Sequence, residues 1–208
     1  MLGRLFQGQT QPLKTSQTLR GQKRPLKVRD IWAIRVRLQL SDRTRDLALF
    51  NLAIDSKLRA CDLVSLRVRD LYQSGRVMSR AMVVQRKTGH PVQFEIMPHT
   101  RDAITSWMKQ RRLGLNDYLF PSRLRSLGHM STRQYARLLT CWLDEIGLDT
   151  TSYGTHSLRR TKAALIYRRT KNVRAVQLLL GHRKLETTVR YLGIEVDDAL
   201  ELAEQTEV

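Results

Sequence analysis

The spacing of apolar residues in the first third of the chain predicts short amphipathic helices. One helix is expected over residues 26–40, and Ser41 or Asp42 is suited to begin a second. Apolar side chains of the second helix recur on one face, at Leu47, Phe50, Ile54 and Leu58. A compact turn containing Arg59 then leads to another short helical piece that ends near Leu66.

The hydrophobic period changes over residues 67–97, where three short strands are predicted. They cover residues 68–71, 77–85 and 92–96, and are separated by the turn residues Gln73-Ser74-Gly75 and Thr88-Gly89. Helices return over residues 100–113 and 131–146, and again from residue 155 with breaks near Thr170, Gly181 and Gly193. The expected fold class is mainly α with a small three-stranded antiparallel sheet.

Charge is unevenly distributed along the chain. Lys and Arg total 37 against 19 Asp and Glu, for a net charge of +18. Residues 155–192 contain ten basic residues and one acidic residue, whereas residues 194–208 contain six acidic residues and no basic residue. A strongly positive field attracts polyanions, of which nucleic acid is the most common in cells. We therefore expect the protein to bind nucleic acid.

Composition divides the chain into three regions. Residues 1–25 have few apolar side chains and are expected to form a flexible basic arm. Residues 26–193 are long enough for one domain with its own core. Residues 194–208 are predicted to form an acidic C-terminal helix, which packs on its own core or passes to a neighbouring protomer. Its apolar residues follow one helical stripe, at Val196, Ala199, Leu200 and Ala203.

Several functional classes are excluded by what the sequence lacks. It has no apolar run long enough to span a membrane and no secretory signal. Cys61 and Cys141 are its only cysteines, which favours a reduced, intracellular protein. A cytoplasmic, nucleoid-associated location is expected. It has no glycine-rich phosphate loop, and the acids before residue 194 are scattered. We therefore expect no cofactor and no metal, with phosphate charge stabilised by the protein's own cations.

Residues 155–191 carry the candidate chemistry. His156 and Arg159 in HSLRR lie three positions apart, and therefore on one helical face. Tyr191 follows His182 of the Leu-Gly-His motif by nine positions. Nine residues of unbroken helix rotate through about 900°, which would point His182 and Tyr191 to opposite sides. A break near Gly181 would allow them to converge.

This order of residues resembles the tyrosine recombinase (phage integrase) family over residues 41–200. The motifs that match stand here as KLRACDL, QRKTG, HSLRR and LLGHRKLETTVRY. The catalytic set that the resemblance implies is Arg59, Lys87, His156, Arg159, His182 and Tyr191. Asp62 is similar to a supporting acidic position beside the first arginine. The sequence departs from the family where Lys57 replaces a common Gly and Asp62 replaces a common Glu.

The resemblance also implies a role for each catalytic residue. Tyr191 would attack a backbone phosphate and form a covalent 3′-phosphotyrosine without ATP or metal. Arg59 and Arg159 would bind the non-bridging oxygens. Lys87 would protonate the leaving oxygen, His156 would assist proton removal from Tyr191, and His182 would donate a hydrogen bond to the phosphate.

The implied partner is double-stranded DNA at a specific site, bound by a homo-tetramer in the synaptic complex. Further DNA contacts are expected from Arg160, Lys162, Arg183 and Lys184. Residues 1–40 are too short for the N-terminal DNA-clamping domain of most members. A catalytic-domain-only member is therefore expected, with residues 26–193 as the catalytic domain.

Two other functions remain open at this point. A type IB topoisomerase uses the same phosphotyrosine chemistry to relax supercoils without exchanging partners. A non-catalytic DNA-binding regulator could share the fold, although a decayed site would be expected to have lost at least one member of the set.

Overall fold

The computed structural model describes residues 23–123, 128–194, 200 and 203–204. Its helices are α1 (Val28–Leu40), α2 (Thr44–Ser56), α3 (Ala60–Val64), α4 (Pro98–Arg111), α5 (Thr132–Asp144), α6 (Thr155–Thr170), α7 (Val173–Leu180) and α8 (Leu185–Leu192). Its strands are β1 (Tyr72–Gln73), β2 (Arg76–Val77), β3 (Arg80–Val84) and β4 (Pro91–Glu95). Short 3₁₀ turns cover Val68–Asp70 and Thr150–Ser152.

Helix α2 forms the centre of the main core. All of its residues from Ala48 to Ser56 are buried, so it needs partners on more than the one face that the sequence pattern predicted. It packs against α1, α4, α6 and β4. Phe50 also meets Trp142 of α5 edge to face, with ring centroids 5.7 Å apart. Because Arg59 follows directly after α2, this core fixes the first residue of the candidate site.

The mainly α fold class is confirmed, but the sheet differs from the predicted three strands. Among the described residues, the strands form two two-stranded antiparallel sheets, β1–β2 and β3–β4. The strand predicted over residues 68–71 is wrong, because Val68–Asp70 forms a 3₁₀ turn. There the Asp70 carboxylate accepts a hydrogen bond from the backbone N–H of Arg67, a local bond that competes with strand pairing. Lys87 lies on the turn between β3 and β4, as expected.

The predicted breaks in the C-terminal helices are confirmed. Helix α6 ends at Lys171 in the left-handed conformation, and Gly181 ends α7 with φ of 65°. Helices α6, α7 and α8 share a small cluster of their own, made of buried Ala163, Val176 and Leu180 with Tyr191 and Leu192 packed against it. The candidate nucleophile is therefore supported by a small cluster apart from the main core.

The predicted start of the second helix is displaced along the chain. Ser41 ends α1, Asp42 is left-handed with φ of 49°, and α2 begins only at Thr44. Aspartate tolerates the left-handed conformation better than most residues. Ser41 and Asp42 therefore form a tight turn between α1 and α2. Within the described ranges, no helix is long and apolar enough to cross a membrane.

Candidate active site

Arg159 is a buried guanidinium held by two carbonyl groups. It lies on α6 with 3% of its surface exposed. Its Nη1 donates to the carbonyl of Lys57 at 2.6 Å, and its Nη2 donates to the carbonyl of Leu180 at 2.8 Å. Burial lowers the pKa of Arg159, while the nearby Tyr191 acts to raise it. Neutral carbonyls fix the orientation of the guanidinium without cancelling its charge, so that charge can still bind an anion.

Arg59 is held by a neutral group in the same manner. It lies at the N-terminus of α3, and its Nη1 donates to Oε1 of Gln85 at 2.5 Å. The amide nitrogen of Gln85 donates in turn to the carbonyl of Leu180 at 3.2 Å. Arg59 and Arg159 are therefore connected through the Gln85 side chain and the Leu180 carbonyl, although 100 positions separate them in the sequence.

Tyr191 is a half-buried side chain whose neutral hydroxyl points into the protein. Its hydroxyl is shielded from solvent and has no well-formed hydrogen bond to any residue in the described ranges. Burial raises the pKa of Tyr191 to about 12, although Arg159 and Arg160 act to lower it. The guanidinium of Arg160 lies 5.1 Å from the centroid of the phenol ring. The phenol therefore needs a proton acceptor before it can act as a nucleophile.

His182 converges on Tyr191 because the chain breaks between α7 and α8. The two rings meet edge to face, with centroids 5.4 Å apart. Burial, followed by the charges of Arg159 and Arg59, lowers the pKa of His182 to about 4, so the imidazole is neutral near pH 7. Its Nδ1 lies 3.1 Å from the hydroxyl of buried Thr188. If Nδ1 accepts that hydrogen bond, Nε2 carries the hydrogen and can donate to a phosphate.

His156 and Lys87 lie at the solvent-exposed rim of the site. His156 is on the first turn of α6 and Lys87 is on the β3–β4 turn. Partial burial, together with the charges of Arg159, Arg59, Arg160 and Lys87, lowers the pKa of His156. A neutral imidazole is able to accept a proton. Lys87 is near enough for its charge to act on His156, so the hairpin turn faces the same site.

Asp62 connects α3 to the β3–β4 turn. It is 4% exposed, and its Oδ1 accepts a hydrogen bond from the backbone N–H of Arg86 at 2.9 Å. Arg86 directly precedes Lys87, so this bond locates the turn relative to Arg59. Its other oxygen, Oδ2, is buried and has no partner among the described residues. The supporting role of Asp62 stays a prediction.

Lys57 stands where the resembled family often has glycine, and the structure explains how it is accommodated. It is left-handed with φ of 54°, and its side chain is fully buried. For a residue other than glycine this conformation costs about 1–2 kcal/mol. The ammonium donates to Oε1 and Oε2 of Glu95 at 2.9 and 3.0 Å. Burial lowers the pKa of Lys57, and Glu95 acts to raise it.

Three contributors to the site were not identified in the sequence analysis. They are Lys57 and Gln85, which contact the two arginines, and Glu95, which pairs with Lys57. Lys57 was noted in the sequence only as a departure from the family's common Gly, which gave no indication that its carbonyl holds Arg159. For Gln85 and Glu95 the sequence offered no signal, since both lie in ordinary strand patterns.

The four predicted DNA contacts have different surroundings. Arg160 lies beside the Tyr191 ring, and Lys184 is exposed at the start of α8. Arg183 is exposed, and its Nε contacts Nε2 of His90. The ammonium of Lys162 lies 2.7 Å from carboxylate oxygens of both Asp55 and Glu95, so its charge is balanced within the protein. DNA binding by these four residues stays a prediction.

Two predicted regions lie for the most part outside the described residues. They are the basic arm over residues 1–25, of which 23–25 are described, and the acidic segment over 194–208, of which 194, 200, 203 and 204 are described. Over the described ranges, no group of three or more His, Cys, Asp or Glu side chains could hold a metal ion. The absence of a metal requirement stays a prediction.

The arrangement combines a phenol with a buried hydroxyl, two oriented guanidinium groups and neutral imidazoles. The guanidinium groups can bind two oxygens of a phosphate and stabilise negative charge that develops on it. The neutral His156 can accept a proton, and the exposed Lys87 can donate one. This chemistry fits attack by a tyrosine on a phosphodiester.

Comparison with known proteins gives a consistent result. Residues 26–196 match the phage integrase family. The probable integrase/recombinase YoeC of Bacillus subtilis (strain 168) is 32% identical over 167 residues, which cover 76% of this chain and 82% of that protein.

Two crystal structures have a similar fold. The XerA recombinase has a TM-score of 0.71 at 22% identity, over 87% of this chain and 64% of that chain. The XerH site-specific recombinase, bound to its difH substrate in a pre-cleavage complex, has a TM-score of 0.68 at 18% identity. That match covers 86% of this chain and 53% of the XerH chain.

Proposed function

The chain belongs to the phage integrase family, and on this basis we propose that it is a site-specific DNA recombinase that cuts and rejoins strands through Tyr191. The proposed partner is double-stranded DNA at a specific site. This agrees with the structurally similar XerH site-specific recombinase, which is bound to its difH substrate. ATP is not consumed, because the phosphotyrosine linkage conserves the energy of the phosphodiester. The positive charges of Arg59, Arg159 and Lys87 take the place of a metal ion at the reacting phosphate.

In the proposed cleavage step, the phenol oxygen of Tyr191 attacks the phosphorus atom of a backbone phosphate. A bond forms between that oxygen and phosphorus, and the bond from phosphorus to the 5′ oxygen breaks. The phenol proton passes to His156, and Lys87 supplies a proton to the leaving 5′ oxygen. Arg59, Arg159 and the Nε2 hydrogen of His182 stabilise the charge on the non-bridging oxygens. Rejoining reverses these steps with a 5′ hydroxyl from another strand.

The observation that carries this proposal is the convergence of Tyr191 with Arg159 and His182. These three residues come from three different helices or the turns that follow them, and they meet only because the chain breaks at Gly181. A phenol held for packing alone would not need a buried guanidinium beside its hydroxyl, since desolvating that charge is costly.

The Tyr191→Phe variant tests the nucleophile. The probe is a plasmid that carries the DNA flanking this protein's own gene, including any inverted repeats. The wild-type protein should yield protein-linked DNA after denaturation, whereas Tyr191→Phe should bind the same DNA with no covalent adduct. Tyr153→Phe is the matched control and should form the adduct normally.

Each alternative function predicts a different result in that assay. An adduct formed by Tyr191→Phe would show that another residue is the nucleophile. A wild-type protein that binds the plasmid without forming any adduct would be a DNA-binding regulator. Relaxation of a plasmid that lacks the flanking DNA would identify a topoisomerase instead.

Assembly is a further part of the proposal. We propose that four copies meet around two DNA sites and that the acidic segment over residues 194–208 contacts a neighbouring protomer. The support is the reversal of charge and the apolar stripe in this segment of the sequence. Its position directly after Tyr191 would couple cleavage to assembly.

A further inference from the structure

Gln85 is a fully buried polar side chain in contact with the proposed catalytic residues. It directly follows β3, and 0% of its surface is exposed. Its oxygen accepts from Nη1 of Arg59 at 2.5 Å and from the hydroxyl of Thr88 at 2.9 Å. Its amide nitrogen donates to the carbonyl of Leu180 at 3.2 Å. Its side chain therefore contacts α3, the β3–β4 turn and the end of α7.

The Leu180 carbonyl is shared with the second arginine. It accepts one hydrogen bond from Gln85 and another from Nη2 of Arg159, at 2.8 Å. A carbonyl oxygen has two lone pairs, so both bonds can form together. Gln85 therefore fixes Arg59 directly and is coupled to Arg159 through this carbonyl.

The backbone of Gln85 also closes the turn that carries Lys87. Its N–H donates to the carbonyl of His90 at 2.9 Å, and its own carbonyl accepts from the N–H of Gly89 at 2.8 Å. Side chain and backbone together thus connect this one residue to the turn of Lys87 and to both arginines.

The orientation of the amide is determined by its neighbours. If the amide were flipped, its NH₂ group would face the guanidinium of Arg59, and its oxygen would face the Leu180 carbonyl. Two donors and two acceptors would then oppose each other in a buried place, which is costly. Close packing also limits movement, since a methyl group added at Gly181 would lie 3.3 Å from Nε2 of Gln85.

We infer that Gln85 is a positioning residue that orients Arg59 for the reacting phosphate and keeps its guanidinium group aligned with that of Arg159. The inference rests on the proposed function. A neutral amide suits this task because it aligns the guanidinium and leaves its charge for the phosphate. A carboxylate at this position would pair with Arg59 and could not donate to the Leu180 carbonyl.

The test measures single-turnover cleavage of a radiolabelled nicked duplex at saturating protein. Gln85→Met removes the hydrogen bonds at similar volume and should slow cleavage on the order of 10²-fold, the cost of misplacing a reacting group by about 1 Å. DNA affinity should stay within about threefold, because the phosphate backbone dominates binding. Gln93→Met, at an exposed glutamine of β4, is the matched control and should cleave normally.

A double-mutant cycle separates positioning from a general structural effect. Because Gln85 acts through Arg59, adding Gln85→Met to Arg59→Ala should slow cleavage by no more than about threefold further. An equal loss in both backgrounds would overturn the inference, as would normal cleavage by Gln85→Met. Gln85→Glu is the second variant if Gln85→Met unfolds. This variant keeps an acceptor for Arg59 but opposes the Leu180 carbonyl with a second acceptor, so it should melt below the wild-type temperature. At a temperature where it is folded and binds DNA it should lose cleavage, and normal cleavage by this variant would also overturn the inference.

Failure of the inference can be told apart from failure of the proposed function. NMR spectra without DNA should show hindered rotation of the Arg59 guanidinium in the wild type and free rotation in Gln85→Met. If the guanidinium rotation differs between the two proteins but the wild type forms no adduct, the proposed function is wrong. Gln85 then has no role in catalysis, although it orients Arg59. If the wild type cleaves and the guanidinium rotates equally in both proteins, only the inference about Gln85 is wrong.

Discussion

Replacing Gly181 with alanine tests how closely α7 approaches the β3–β4 hairpin. Gly181 ends α7 with φ of +65°, and a Cβ at this position would lie 2.5 Å from Cγ2 of Val92. Real Cβ atoms do not approach a neighbour so closely, and Val92 lies in the sheet with 3% of its surface exposed. The backbone or the hairpin must therefore move to admit the methyl group.

Gly193 provides the matched control. It ends α8 with φ of +69°, and a Cβ at this position would meet no atom of the described residues within 4 Å. Alanine at either glycine incurs the left-handed penalty of about 1–2 kcal/mol. Both replacements also reduce the entropy of the unfolded chain by the same amount, so that effect cancels in the comparison.

Overpacking adds a cost at Gly181 alone. Forcing an extra methyl group into a packed site typically costs about 1–3 kcal/mol. Gly181→Ala should therefore lower the free energy of unfolding by about 1–3 kcal/mol more than Gly193→Ala. For a chain of this size, the melting temperature of Gly181→Ala should be about 2–12 °C below that of Gly193→Ala.

Urea unfolding of the two variants measures this difference. Equal losses, within about 0.5 kcal/mol, would show that the hairpin and α7 do not touch as described and would refute the reasoning. Gly181→Ala should also slow cleavage, because the displaced Leu180 carbonyl holds Arg159 and Gln85. Gly147→Ala, at a left-handed glycine with open space around it, should leave cleavage unchanged.

Two further predictions concern the charged and titrating groups of the site. Arg159→Lys should lose on the order of 10²-fold or more in single-turnover cleavage, because a point charge cannot replace two oriented N–H groups; a variant that cleaves at the wild-type rate would contradict the proposed role. The pKa of His182 is about 4 in the folded protein, against an ordinary value of 6.5. Between pH 6.5 and pH 4 the unfolded state therefore binds more protons than the folded state. The free energy of unfolding should fall as the pH decreases from 6.5 towards 4. His182→Gln should show a shallower fall in denaturation curves at several pH values, and an equal slope in both proteins would assign the effect to other groups.

The local pattern of the sequence was enough to predict most helices and the order of the candidate residues. Apolar spacing predicted α4 and α5, and Ser131 caps α5 by accepting a hydrogen bond from the N–H of Gln134. The glycines at 181 and 193 predicted the helix ends, because their left-handed conformation is specific to few residue types. These features depend on neighbours within a few positions, so they can be read from the sequence.

Short segments with weak local preference were decided by tertiary contacts. Val68 and Leu71 are both buried and lie three positions apart. This spacing places both side chains on one face of a 3₁₀ turn, whereas in a strand they would point to opposite faces. The backbone N–H of Val68 pairs with the carbonyl of Asp117, nearly fifty positions away. A distant partner of this kind leaves no signal in the local period, so the strand prediction failed there.

The groups that orient the two arginines were also decided by the tertiary structure alone. Tyr191, Arg59 and Arg159 could be named from their motifs. The carbonyls of Lys57 and Leu180 could not, because backbone groups are the same in every residue and carry no sequence signature. Sequence fixes which side chains are present and how they are spaced, whereas folding determines which distant carbonyl or amide accepts each buried charge.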